Sequence, residues 1–167
     1  LKVMEEPPEG VLFLLTADSL ASVLPTIRSR CVSFAVAPVS PADCTRYCAA
    51  QGVDKKTAAL YSELFDGHIG TVLAVARDEA RAAQVEKALE LARAAAARDS
   101  YTAAVLLAAY EKDKAAASAL LTDFRAVAAA GLRSSPRAPV QGTQARQSVR
   151  LADAALPRLG AQVNPKG

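Results

Sequence analysis

Pro38-Val39-Ser40-Pro41-Ala42-Asp43 is the stretch on which the reading of the fold turns. Pro lacks the N–H that a helix interior or a sheet ladder needs, so Pro38 and Pro41 close off what precedes them. Ser40 is a strong helix N-cap and Pro41 suits the first helical position. Asp43 favours the positive end of the helix in its first turn. A helix therefore starts here and ends near Gly52. Downstream the chain reads as helix after helix. Asp54 caps a second one, whose apolar positions are Ala58, Leu60, Tyr61, Leu64 and Phe65, and Asp66-Gly67 breaks it. A third begins at Ile69 or Gly70 and turns Val72, Leu73 and Ala76 inward. Three helices in residues 38–81 make a small bundle.

Further on, Ala dominates, and Ala has the highest helix propensity. Helices are expected over 82–98, 101–111, 114–130 and 143–160, with Ser100 and Asp113 as caps and Gly131 as a stop. In the third of these, Leu120, Leu121, Phe124, Val127 and Ala128 form one apolar stripe. Ser134-Ser135-Pro136-Arg137-Ala138-Pro139 reads as a mobile loop.

Upstream of Pro38 the pattern changes. Val11 to Thr16 is a continuous apolar run between Gly10 and Asp18, as expected of a strand buried on both faces. Val32 to Val36 alternates and reads as a second short strand. Ser19 to Val23 suits one helical turn. Residues 1–6 read as a helix tail stopped by Pro7 and Pro8. The expected fold is mainly α: a short segment with one or two strands over 1–37, a three-helix bundle over 38–81 and further α-helices over 82–167.

The 167 residues are 51% hydrophobic and 22% charged, a folded composition with room for one ordinary domain or two small ones. A net charge of +3 does not by itself indicate nucleic-acid binding. The three cysteines are an odd count and read as reduced thiols. Cys44 and Cys48 share a helix face, but a metal needs three or four ligands. No apolar run approaches the length of a membrane span, and Glu5, Glu6 and Glu9 interrupt any signal peptide. Leu1-Lys2-Val3-Met4 reads as a helix end without its beginning, so a fragment of a longer protein is expected.

Three blocks carry a resemblance. Leu1-Lys2-Val3-Met4-Glu5-Glu6-Pro7-Pro8, then Phe13-Leu14-Leu15-Thr16, then Leu24-Pro25-Thr26-Ile27-Arg28-Ser29-Arg30-Cys31 resemble, in order and spacing, the clamp-loader branch of the AAA+ ATPases. The family pattern is a helix ending L-K-x-L-E-E-P-P, a strand ending in a polar sensor residue, and L-P-x-T-I-x-S-R-C. The resemblance implies the remnant of an AAA+ core over 1–37, a three-helix lid over 38–81 and an oligomerising helical collar over 82–167.

In that family the Arg of Ser-Arg-Cys is an arginine finger. It reaches across a subunit interface to the γ-phosphate of a neighbour's ATP, where phosphoryl transfer gathers negative charge. The resemblance gives that role to Arg30, flanked by Ser29 and Cys31. The competing reading is an Arg paired with a carboxylate of its own domain. Arg28 falls at a position the family varies and reads as a surface residue. Thr16, or Ala17 one residue on, stands at the sensor-1 position that orients the attacking water in active relatives. An ordinary strand-ending Thr is the other reading.

Gly67-His68-Ile69-Gly70-Thr71-Val72-Leu73 resembles the sensor-2 segment, with Gly70 where ATP-hydrolysing subunits carry Arg. That absence points away from the gamma/tau branch and toward the delta-prime branch, whose nucleotide site is commonly degenerate. His68 reads as a surface or capping residue. Cys44 and Cys48 read as small buried thiols; the family's zinc cysteines lie upstream of the sensor strand. Leu156 to Lys166 resembles the L-x-x-N-x-N-P-K-L stretch before the last collar helix, without its first Asn.

The implied function is that of a subunit with little or no catalysis of its own, in a loader that places the sliding clamp on primed DNA. No cofactor is expected in this chain, which has no Gly-rich phosphate loop; ATP-Mg would be bound by the neighbouring subunit. Expected partners are the gamma/tau and delta subunits, with the sliding clamp and primer-template DNA contacted indirectly, in the cytoplasm and away from membranes. Two rivals stand: a gamma/tau-type ATPase subunit, and a helical DNA-binding module using Arg77, Arg81, Lys87, Arg93 and Arg98, which are interleaved with acids.

Overall fold

The computed structural model describes residues 2–17, 19–37 and 39–160. It forms two compact units, residues 1–37 and 38–167. The boundary residues Asp18 and Pro38, the Leu1 start and most of the 156–166 motif lie outside the described residues.

The first unit holds α1 (Lys2–Glu5), a 3₁₀ turn (Leu20–Ser22) and α2 (Pro25–Arg28). Ser19 caps the 3₁₀ turn, its hydroxyl accepting from the Ala21 N–H at 3.2 Å. The two expected strands, 11–16 and 32–36, do not form: both segments run without ladder partners, and no strand occurs among the described residues. A strand holds its shape through pairing and burial, and neither segment has either here. Leu12 and Leu14 are 80% and 85% exposed, Phe34 and Val36 84% and 95%.

The second unit is wholly helical: α3 (Pro41–Ala50), α4 (Lys55–Leu64), α5 (Ile69–Arg77), α6 (Glu79–Ala97), α7 (Ser100–Ala108), α8 (Lys114–Leu132) and α9 (Gly142–Gly160). The mainly α class expected from sequence is the observed one. Ser40 accepts from the Asp43 N–H, Asp54 from Lys56 and Thr57, and Asp113 from Ala116, as those caps predict. Helix α6 starts earlier than expected, because Asp78 caps it through the Arg81 N–H. Helix α7 is capped by Asp99 rather than Ser100: the Asp99 carboxylate accepts from the Thr102 N–H at 3.0 Å and its hydroxyl at 2.6 Å.

Leu64, Val72, Val75, Val85, Leu89, Leu120 and Val127 are fully buried and join α4, α5, α6 and α8 in one core. Burying each such side chain stabilises by about 1.5–3 kcal/mol. Helix α8 is the centre, packed against α4, α6 and α9. By length and mean hydropathy (1.3) it could also cross a membrane, although its apolar run is not unbroken. Asp123 and Arg125 break that run. Asp123, nearly buried, takes a two-pronged contact from Arg81 of α6, and Arg125 pairs with Asp153 of α9. Gly131 does not stop the helix. A methyl there would stand 1.9 Å from the Val140 carbonyl oxygen, so its missing side chain serves packing.

Candidate functional site around Arg30

Pro25 fixes the first turn of α2, and Thr26 and Ser29 then present oxygens to the following residue. The Arg30 guanidinium uses them. One Nη donates to the Thr26 carbonyl at 2.8 Å and to the Ser29 hydroxyl at 3.2 Å. The other pairs with the Glu5 carboxylate of α1 at 2.5 Å. Arg30 is thus a cation parked on its own unit, in line with the competing reading of a domestic ion pair. The pair is accessible, with the two side chains 34% and 45% exposed. Exposed pairs are worth about 0–1 kcal/mol, so a stronger anion could displace Glu5.

Cys31 follows Arg30, half-buried and free. Arg28 is exposed and makes no ion pair among the described residues. Thr16 and Ala17 are exposed in the irregular segment, and Thr16 makes no hydrogen bond to the Arg30 group among the described residues. Glu5, the residue that fixes Arg30, was missed by sequence reasoning; its signal was the acidic pair of Glu5-Glu6-Pro7-Pro8.

Gly70 lies in the second unit, exposed in the first turn of α5, with open space where a Cβ would stand. His68 occupies the N-cap position of α5 but does not cap with its ring. Its Nδ1 bonds the Phe65 carbonyl at 2.7 Å and ties the turn back to α4. Gly67 between them has φ +73°, and a Cβ there would lie 1.8 Å from the Val39 carbonyl oxygen.

Cys44 and Cys48 are fully buried, their sulfurs 4.0 Å apart. Burial, and then the Cys44 thiol beside it, push the Cys48 thiol up to about 11. A thiol held neutral is a poor nucleophile and a poor ligand. Among the described residues no three His, Cys, Asp or Glu side chains gather as a metal site.

The 134–139 loop, expected to be mobile, is fastened to α4. Glu63 accepts from the Ser135 hydroxyl at 2.6 Å and pairs with Arg137, while Arg133 pairs with Asp66 at 3.2 Å and donates to the Leu64 carbonyl. The α6 cations offered for DNA are mostly committed elsewhere: Arg81 to Asp123, Arg93 to Glu86, and Lys87 over the Tyr110 ring.

With this geometry in view, residues 1–40 match the family described as "DNA polymerase III, delta subunit". The match covers 40 of 167 residues, the first compact unit, with Arg30 inside it, and the three residues that follow. It supports a relationship of this segment to the clamp-loader proteins of DNA polymerase III. No curated protein and no solved structure matches the chain.

Proposed function

We propose that this chain works as a delta-prime-type subunit of a DNA polymerase III clamp loader, supplying Arg30 in trans to ATP bound by a neighbour. The observation that carries the reading is Arg30 itself. It lies in Ser-Arg-Cys within the family-matched segment, near the surface, and is tethered by one exchangeable ion pair. Near a γ-phosphate the Glu5 carboxylate would yield to a more highly charged partner that takes the guanidinium in two-pronged fashion. Ser29 bonds the Thr26 carbonyl and the guanidinium in the turn that aims it, and Cys31 completes the motif. Thr16 keeps the sensor-1 position in this reading, without a substrate of its own.

Gly70 at the sensor-2 position favours delta-prime over a gamma/tau-type subunit, because a glycine cannot contact phosphate through a side chain. Residues 38–81 act as the lid and 82–167 as the collar that joins the gamma/tau and delta subunits. The collar reading draws support from α7, which exposes Tyr101, Val105 and Leu107 along a helix with no buried residue. The sliding clamp and primer-template DNA are reached through the assembly, in the cytoplasm.

Substituting Arg30→Ala in a reconstituted loader tests this. Assembly by gel filtration should be intact. Clamp- and DNA-stimulated ATP turnover at the one site served should drop by at least about 10³-fold, the lower bound for arginine fingers. Unchanged turnover would sink the finger assignment.

A further inference from the structure

The modest overall charge hides an uneven distribution. Residues 124–160 contain six arginines (Arg125, Arg133, Arg137, Arg146, Arg150 and Arg158) and one acid, Asp153. The structure sorts these cations. Arg133 and Arg137 neutralise Asp66 and Glu63, and Arg125 neutralises Asp153 at 2.5 Å. The one carboxylate on α9 is therefore spent. Arg146, Arg150 and Arg158 remain, all exposed and with no ion pair among the described residues.

These three share one i+4 ridge of α9, with the small Ala154 between the last two. At 1.5 Å per residue the ridge is about 18 Å long and winds about 120° around the helix. The opposite face, Ala145, Ser148 and Ala152, is buried, and α9 packs mainly on α8. With its apolar side occupied, α9 cannot lie in a lipid interface, which takes an amphipathic helix by its apolar face. What it offers is a line of guanidiniums, with the exposed polar side chains of Thr143 and Gln147 alongside.

We infer that the α9 ridge is a sequence-independent contact for the phosphate backbone of duplex nucleic acid. Charge complementarity chooses this occupant. A duplex carries one negative charge per about 1.7 Å of axis, both strands counted, so an 18 Å ridge spans several phosphates whose sign complements its guanidiniums. Arg binds phosphate with its planar fork, and no base-reading geometry is needed. The inference stands apart from the role of Arg30: it concerns the second unit and needs no loader.

Titrating a fluorescein-labelled random-sequence duplex with the full chain, and reading anisotropy against salt, tests it. Three phosphate contacts give a slope of log K on log salt near −2.7, about a 40-fold loss of affinity between 50 and 200 mM salt. Arg150→Gln alone should reduce the slope by about 0.9. The triple variant R146Q/R150Q/R158Q should nearly abolish binding. Gln is close to Arg in helix propensity, so the fold should persist, which far-UV circular dichroism checks. Arg93→Gln on α6, whose charge is paired with Glu86, should leave binding unchanged. Three results would each overturn the proposal: no duplex binding at 50 mM salt, equal binding by Arg150→Gln and the wild type, or capture of the chain by phosphatidylserine vesicles in preference to the duplex.

Discussion

At the scale of single residues, similar chemistry diverges with environment. The three thiols are an example. Cys31 is half-buried in the first unit, whereas Cys44 and Cys48 are sealed in the core with no exposed surface. A thiol reagent at pH 8 should therefore modify Cys31 readily in the native protein, and the other two only as the chain unfolds. The raised value for Cys48 adds a pH dependence. The folded thiol stays protonated up to about 11, while the unfolded one ionises from its ordinary value of 9.0. The stability tied to its neutrality is complete below pH 9 and lost as the pH rises toward 11. Denaturant titrations over that range should show a steeper loss for the wild type than for Cys48→Ala. Parallel curves would refute it.

At the scale of elements, the capping residues were the legible part. Ser40, Asp54 and Asp113 sit where side-chain acceptors satisfy the first free N–H groups, and that chemistry is local enough to read from a few letters. The two strands were illegible for the opposite reason: a run such as Val11 to Leu15 fits a strand, but pairing depends on partners that no local pattern supplies. Gly131 fooled the pattern too. A glycine after an apolar stripe looks like a helix stop, while its true constraint is the Val140 carbonyl across a tertiary contact. The Arg30 site was half legible. Its motif was visible, but the Glu5 tether depends on how α1 and α2 meet. Gly70 and Gly131 make the same point as a measurement. Gly70→Ala meets open space and should raise stability by up to about 1 kcal/mol through helix propensity. Gly131→Ala gains the same propensity yet pushes a methyl onto a backbone oxygen, and should lose about 1–3 kcal/mol. Melting temperatures should therefore move in opposite directions; a shared direction would show that packing at Gly131 is not the constraint.

At the scale of the whole molecule, the burial is lopsided. Every buried residue among those described lies between Cys44 and Ala152, and the first unit contributes none to either apolar cluster. The first unit instead exposes Leu12, Leu14, Leu15, Phe34 and Val36. Cooperative unfolding follows shared buried surface, so the helical unit should melt as a two-state domain by itself. The first unit, with few buried apolar contacts, belongs to the low-stability end where proteases cut first. Two measurements check this together. Limited proteolysis of the full chain should trim residues 1–37 and leave a resistant product beginning near Val39. A chain of residues 39–167 should keep a single sharp thermal transition within a few degrees of the parent's. It should also be less prone to aggregate, because the exposed apolar segments are gone. Loss of that transition on truncation would mean the helical core is not self-sufficient. The family-matched segment bearing Arg30 would then be part of what holds the chain folded.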